Sequence, residues 1–283
     1  MKASYKGIFT EERALFQVQN ISVAESVFDV GESPLKHSRD TEVSGTVFKG
    51  KYPLWYSSGT FVHDSTFAEG ARAALWYTND IRICDTLYAA PKGIRKCRNV
   101  TLTNVNFTDA PETLWSCRDV RISGVTVKGD YLAKDCENMV IEGLTLDGKY
   151  SFDGCRNVTI SNSTIIGRDA FWNCENITVK NCRISGEYLG WNTKNLTLID
   201  CTIESLQGMC YIGNLVLKRC RLINTTLAFE YSTVDADICG SIDSVINPLG
   251  GIIRADSIGE LILDKQQVDV RRTQIILRDK CAV

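Results

Sequence analysis

A repeat of nineteen to twenty residues runs through most of this chain. Its clearest copies begin nineteen residues apart, at Cys117, Cys136, Cys155, Cys174 and Thr193. In each copy an asparagine or aspartate two positions later precedes alternating aliphatic residues, as in Cys155-Arg-Asn-Val-Thr-Ile. A fixed period of this size is typical of a solenoid, in which each repeat forms one layer and only stacking buries the core.

The apolar positions within the repeat predict β-strands, because they recur at i and i+2 and are rich in valine, isoleucine and threonine. We expect one inward column to consist of Phe28, Phe48, Phe67, Leu87, Phe107, Val127, Leu146, Ile165, Ile184, Ile203 and Leu222. A turn position before the first strand of most layers can hold left-handed backbone and an amide ladder. It is occupied by Asp80, Asn99, Asp119, Asn138, Asn157, Asn176, Asn195 and Asn214. Glycine marks a second bend at Gly129, Gly148, Gly167 and Gly186.

These features predict an all-β chain folded as a single-stranded right-handed parallel β-helix, a solenoid of about eleven layers, with the hand taken from the right-handed crossover preference. A left-handed β-helix would need a hexapeptide period, and a leucine-rich repeat would need a helix where this repeat has aromatic residues. We expect residues 1–12 to form an N-terminal cap, residues 13–231 the layers, and residues 232–283 irregular C-terminal strands and a cap of the same domain.

Composition excludes several classes of partner. The formal net charge is −2 with both signs mixed, so neither nucleic acid nor an anionic membrane is an expected partner. No apolar run approaches the ~20 residues of a membrane span, and the first residues carry no apolar signal core. The sequence therefore predicts a cytoplasmic protein.

The twelve cysteines favour packing over disulfides. One repeat position holds Cys97, Cys117, Cys136, Cys155 and Cys174, and another holds Cys182, Cys201 and Cys220. A thiol that recurs at one position predicts a reduced, buried ladder, because free cysteine is among the most buried residue types. No Cys-x-x-Cys pair occurs, so we expect no metal site and no cofactor.

All five tryptophans fall at one repeat position that the alternation directs outward. The column reads Trp55, Trp76, Arg95, Trp115, Lys134, Asp153, Trp172, Trp191 and Cys210. An outward row of aromatic rings is typical of a binding surface. The predicted ligand-binding residues are Trp55, Trp76, Arg95, Trp115, Tyr131, Lys134, Tyr150, Trp172, Tyr188 and Trp191. The alternative is that the rings stack on one another as an internal ladder.

Carboxylates near this column are the candidate catalytic residues: Asp153, Asp169, Glu187 and Asp130. Glycosidases need two carboxyl groups about 5 Å apart for retention or about 6.5–9.5 Å apart for inversion. Layers spaced ~4.8 Å apart can supply either separation. A lyase would use Lys134 or Arg95 to neutralise its substrate. Solvated or ion-paired carboxylates remain an equal alternative, so the sequence leaves hydrolase, lyase and no reaction open.

Several stretches resemble a known group of proteins, among them Lys51-Tyr-Pro-Leu-Trp-Tyr, Asp169-Ala-Phe-Trp-Asn-Cys and Leu227-Ala-Phe-Glu-Tyr. The chain resembles the pectin-lyase-like β-helix superfamily and, within it, an uncharacterised bacterial family of unknown function. This resemblance implies the fold and no established reaction. Superfamily enzymes of the polygalacturonase type use clustered aspartates, often as adjacent Asp-Asp pairs, and this sequence has no such pair.

Two functional hypotheses follow from these residues. The first is that an aromatic and acidic face binds a carbohydrate or a similar polyhydroxylated ligand, with or without hydrolysis or elimination. The second is a non-catalytic scaffold whose aromatic face docks another protein or a second copy of the chain, which would make the protein a homo-oligomer.

Overall fold

The computed structural model describes residues 2–278 and confirms the predicted right-handed parallel β-helix. Within those residues the chain is all-β, and its only helical segment is the 3-10 turn Val270–Arg272. There are about fourteen turns rather than the expected eleven, because residues ahead of position 13 and beyond position 231 also form strands. No helix of residues 2–278 has the length and apolar character needed to span a membrane.

The chain divides between Gly148 and Lys149 into two compact units, here called unit 1 and unit 2. The strands of unit 1 are β1 Ala3–Tyr5, β2 Ile8–Phe9, β3 Gln19–Ala24, β4 Val27–Phe28, β5 Arg39–Ser44, β6 Val47–Phe48, β7 Ser58–His63, β8 Thr66–Phe67, β9 Leu75–Trp76, β10 Asn79–Tyr88, β11 Ile94–Arg95, β12 Arg98–Phe107, β13 Arg118–Ser123, β14 Thr126–Lys128, β15 Glu137–Glu142 and β16 Thr145–Asp147. The strands of unit 2 are β17 Arg156–Ser161, β18 Thr164–Ile166, β19 Glu175–Lys180, β20 Arg183–Ser185, β21 Lys194–Ile199, β22 Thr202–Leu206, β23 Gly213–Thr226, β24 Thr233–Ile238, β25 Ser241–Ile246, β26 Gly250–Ala255, β27 Ser257–Ile262 and β28 Thr273–Leu277.

Strands pair in parallel with the equivalent strand of the next layer in each unit. In unit 1, β1 pairs with β3 and β2 with β4, so the segment expected to be an N-terminal cap forms strands itself. In unit 2, β24, β26 and β28 continue the ladder beyond position 231. The last five residues of the expected C-terminal cap, 279–283, lie outside the described residues.

The inward column is as predicted except in one layer of unit 1. Leu87 is 42% exposed, whereas Tyr88 is fully buried. The register pairs Phe67 with Tyr88, and their rings stack with centroids 4.6 Å apart. The assignment of Leu87 to the core was therefore wrong, because this layer is one residue longer than the repeat predicts and an aromatic ring continues the stack of Phe28, Phe48 and Phe67.

The cysteine and asparagine columns take the predicted places. The eight cysteines of the two repeat positions are buried thiols. In unit 2, Asn176 takes a φ of 59°. Its amide donates to Asn157 Oδ1 at 3.0 Å and its oxygen accepts from Asn195 Nδ2 at 2.8 Å. The corner residues therefore combine left-handed backbone with a hydrogen-bonded amide ladder.

The third side of each layer is a turn-rich segment in which every second residue takes a left-handed conformation. In unit 2, Asp169, Phe171 and Asn173 have φ values of 63°, 62° and 55°. Each such residue costs roughly 1–2 kcal/mol. Hydrogen bonds between layers offset that cost, as from Asp169 N to Glu187 O at 2.8 Å. Because equivalent residues of many layers share this conformation, it belongs to the fold and not to a particular site.

Candidate functional site

The tryptophan column of unit 1 forms a stacked ladder. The rings of Trp55 and Trp76 are nearly parallel, with centroids 5.2 Å apart and an interplanar angle of 8°. The guanidinium of Arg95 then lies 5.0 Å from the Trp76 ring centroid and 4.1 Å from that of Trp115. All four side chains are half-buried. These contacts cover the ring faces, as in the internal ladder that the sequence left open as an alternative.

Polar contacts hold this ladder in place. The indole nitrogens of Trp76 and Trp115 donate to backbone carbonyls of the following layer, Lys92 O and Tyr131 O, each at 2.8 Å. Arg95 forms an ion pair with Glu112, whose carboxylate also lies 3.5 Å from Lys92 Nζ. Arg95, which was expected to serve as a substrate cation, is thus placed between two indole rings and beside a carboxylate of its own unit.

The sequence did not predict that a second column of rings stacks beside the tryptophan column of unit 1. His37, Tyr56 and Tyr77 stack on one another, with centroids 5.1 Å and 4.8 Å apart and interplanar angles of 12° and 5°. Each of these residues directly follows a member of the tryptophan column or its equivalent, Lys36, Trp55 and Trp76. This spacing could have identified His37 as a member of the column. Strict strand alternation hid it, because a residue that follows an outward one is then expected to point inward.

The remaining predicted residues of unit 1 adjoin the end of the ladder. Tyr131 contacts Trp115 edge-on, with centroids 6.3 Å apart. Asp130 and Lys134 are half-buried, and their backbone carbonyls accept the amides of Glu112 and Ser116 at 2.9 Å and 2.8 Å.

In unit 2 an aspartate interrupts a tyrosine column. Tyr150, Asp169 and Tyr188 share one repeat position, nineteen residues apart. The Asp169 side chain is only 3% exposed, and its Oδ2 lies 3.0 Å from Arg168 Nε. Arg168 also donates through Nη2 to the hydroxyl of Tyr150 at 2.8 Å. Arg168 was missed by the sequence analysis, because nothing in its local sequence distinguishes it from other surface arginines.

The surroundings of Asp169 shift the pKa of its carboxyl group in both directions, with a net upward shift. Burial raises the pKa of Asp169 above its usual range, and the nearby charge of Glu187 raises this pKa further. The charge of Arg168 and a hydrogen bond from Tyr150 act in the opposite direction. Glu187 itself is exposed. Two neighbouring carboxyl groups therefore occupy contrasting surroundings, an arrangement that separates acid and base roles in many hydrolytic enzymes.

Aromatic rings surround these polar groups without stacking in parallel. Tyr150 meets Trp172 at 90°, and Tyr188 meets Trp191 at 81°, with centroids 6.3 Å and 6.0 Å apart. The ring centroids of Trp172 and Trp191 are 6.1 Å apart and the rings are tilted by 35°, and Tyr211 lies against Trp191 with centroids 4.5 Å apart at the same tilt. We call Tyr150, Arg168, Asp169, Trp172, Glu187 and Tyr188 the tyrosine–acid cluster.

Asp153, another catalytic candidate, shares the repeat position of Trp172 and Trp191. It is half-buried, and its Oδ1 accepts from Asn173 Nδ2 at 3.0 Å. Asn173 Oδ1 in turn accepts from Asn192 Nδ2 at 2.9 Å. Asp153 therefore takes part in a second amide ladder, on the third side of the layers. Among residues 2–278, no group of three or more histidine, cysteine, aspartate or glutamate side chains is arranged to hold a metal ion.

Comparison with known proteins shows the family. None of the curated proteins matches this sequence. The surface adhesin PfbA of Streptococcus pneumoniae is 11% identical, with a TM-score of 0.44 over 87% of this chain and 82% of that chain. A tailspike protein variant of E. coli bacteriophage HK620 is 10% identical, with a TM-score of 0.46 over 91% of this chain. Another variant of that tailspike, in complex with a pentasaccharide, is 9% identical, with a TM-score of 0.44 over 86% of this chain. The match spans 62% and 60% of these two tailspike chains. The model of a family described as "Protein of unknown function (DUF3737)" matches residues 3–276, and the chain belongs to that family.

Proposed function

We propose that the tyrosine–acid cluster of unit 2 binds a carbohydrate. The observation that carries this proposal is the buried carboxyl group of Asp169, held by Arg168 and Tyr150 beside indole rings that do not stack in parallel. Sugars present apolar C–H faces and a rim of hydroxyl groups. A site for them therefore combines partly accessible aromatic faces with a few fixed polar groups.

Each part of the cluster has a role in such binding. Trp172 and Tyr188 provide apolar contact area, and the Trp172 indole is fixed by a hydrogen bond of 2.9 Å to Tyr188 O. Exposed Glu187 and Arg168 can accept from and donate to sugar hydroxyls. Asp169, being almost fully buried, orients Arg168 and Tyr150 and has little surface of its own for a ligand.

We propose binding rather than catalysis because the carboxyl group of Asp169 is almost fully buried. A glycosidase or lyase needs its acid in hydrogen-bond reach of the bond that breaks, and Asp169 exposes only 3% of its side chain. Its raised pKa suits a proton donor, so a reaction follows only if ligand binding opens the layer around it. Turnover lost in Asp169→Asn or Asp153→Asn, with binding kept, would identify chemistry at the site.

A glycan array with neutral and acidic oligosaccharides tests the proposal. We expect the wild type to retain at least one oligosaccharide, and Trp172→Ala and Glu187→Gln to lose it. The matched control is Glu260→Gln, which changes an exposed carboxylate on β27 of the same unit and should bind as the wild type does. An array without a hit, or one in which all four proteins behave alike, would overturn the proposal.

A further inference from the structure

A two-by-two block of aromatic rings in unit 1 has a different character from the tyrosine–acid cluster. The aromatic block consists of Trp55, Tyr56, Trp76 and Tyr77. Trp55 stacks on Trp76 and Tyr56 on Tyr77, with centroids 5.2 Å and 4.8 Å apart. Within each layer the indole and phenol meet edge-to-face at 75° and 76°. Each of the four rings thus uses one face to stack on another ring of the block.

Cations lie at both ends of this block, and at one end the His37 ring also stacks on Tyr56 with centroids 5.1 Å apart. At one end, Lys36 Nζ lies 5.8 Å from the ring centroids of both Trp55 and Tyr56. At the other end, the Arg95 guanidinium lies 5.0 Å from the Trp76 centroid and Lys96 Nζ 5.5 Å from the Tyr77 centroid. Little ring face is left for stacking on a sugar. What the block offers to a ligand is ring edges, which carry the positive end of the aromatic quadrupole.

The charges of the block are not balanced within unit 1. Arg95 is paired with Glu112, but neither Lys36 nor Lys96 forms an ion pair within residues 2–278. The hydroxyls of Tyr56 and Tyr77 likewise form no hydrogen bond with another residue in that range. Tyr56 is 45% exposed. Ring edges, free ammonium groups and free hydroxyl donors all favour an anion at the same place.

We propose that the aromatic block binds an extended acidic polypeptide segment with two carboxylate side chains four residues apart. Lys36 and Lys96 are separated by three layer steps, or ~14 Å at ~4.8 Å per layer. Four residues of extended chain cover about the same length at ~3.4 Å each, and residues i and i+4 of a strand point to the same side. One carboxylate then meets each lysine, and the intervening backbone lies across the tyrosine hydroxyls.

A peptide fits these features better than an acidic saccharide does. Saccharides gain much of their affinity by stacking on aromatic faces, and the stack and its cations cover those faces here. A peptide carboxylate needs only the cations and edge donors. The inference concerns unit 1 alone and does not depend on carbohydrate binding by unit 2.

Fluorescence anisotropy of labelled peptides tests the proposal. The probe is Glu-Ser-Thr-Ser-Glu, compared with Gln-Ser-Thr-Ser-Gln and with Glu-Glu-Ser-Thr-Ser, whose acids are adjacent. We expect the wild type to bind the first peptide most tightly, with affinity falling as salt rises. Lys36→Glu with Lys96→Glu should weaken binding by at least about tenfold. The control Lys218→Glu, an exposed lysine of unit 2, should bind normally.

Three results would overturn the proposal: no saturable binding of the first peptide, equal binding by the double variant, or displacement by an oligogalacturonate that binds more tightly than any of the peptides. The last result would reassign the block to an acidic saccharide.

Thermal unfolding of each variant separates a lost contact from a lost fold, because these exposed and half-buried lysines lie outside the core. Tyr56→Phe with Tyr77→Phe keeps the stack, removes only the hydroxyls, and should weaken binding less than the lysine changes do.

Discussion

Asp169 places a buried carboxyl group at a column position that holds tyrosine in the layers on either side. Its neighbours in the column are tyrosines, whose rings pack against the adjacent tryptophans, whereas a carboxyl group at that position loses hydration and raises its pKa. Burying a charge is costly unless it is paired and hydrogen-bonded. Arg168 and Tyr150 interact with the Asp169 carboxyl group but do not fully offset the cost of its burial, because the net shift of its pKa is still upward.

The pH dependence of stability should report this shift. A pKa raised by folding stabilises the native state fully below the ordinary aspartate value of 3.8, and this contribution is lost as pH rises through the folded-state pKa. Urea unfolding of wild type and Asp169→Asn, from below pH 3.8 to neutral, should show the wild type losing stability relative to the variant. A relative gain with rising pH would mean that Arg168 and Tyr150 outweigh burial.

Tyr88 provides a second prediction, in the core of unit 1. Its hydroxyl is buried and has no hydrogen-bond partner within residues 2–278. An unsatisfied buried hydroxyl costs about 1–3 kcal/mol, and phenylalanine already fills the equivalent position at Phe67 and Phe107. Tyr88→Phe should therefore raise the free energy of unfolding by about that amount. Destabilisation by Tyr88→Phe in chemical denaturation would show that the hydroxyl has a bound partner.

The corners of the layers are elements whose conformation follows from local chemistry. Asparagine tolerates left-handed backbone and can bond to its copies above and below, so its recurrence before each strand allowed the corner to be predicted. The third side of each layer could not be predicted in the same way. Its left-handed residues include Tyr150, Phe152 and Leu114, and bulky side chains give no sign of that conformation. Contacts between layers impose it.

The asparagine ladder can be separated into its two contributions by substitution at Asn176. Alanine at position 176 disfavours the φ of 59° and cannot form the amide hydrogen bonds. Glycine also lacks the amide but adopts this φ without strain. We expect Asn176→Ala to lower the free energy of unfolding by about 2 kcal/mol and Asn176→Gly by about 1 kcal/mol. Chemical denaturation of both variants measures the difference. Equal losses would mean that the ladder, and not the backbone, dominates at the corner.

At the scale of the whole molecule, the repeat made the fold predictable and left the ligand open. In-register stacking places residues that are nineteen positions apart one above another, so the strands, corners and core can be predicted by counting along the repeat. Leu87 is the exception, because its layer contains one additional residue. Ring orientation does not follow from counting. The same tryptophan position gives a parallel stack in Trp55 and Trp76 but a 35° tilt between Trp172 and Trp191, because the neighbouring residues differ.

Tryptophan fluorescence during titration with an oligosaccharide retained on the array tests the central claim, that unit 2 carries the carbohydrate site. We expect a saturable fluorescence change in the wild type and in Trp76→Phe, and its loss in the double variant Trp172→Phe, Trp191→Phe. A change that survives without Trp172 and Trp191 but disappears in Trp76→Phe would place the ligand on unit 1 and contradict the account.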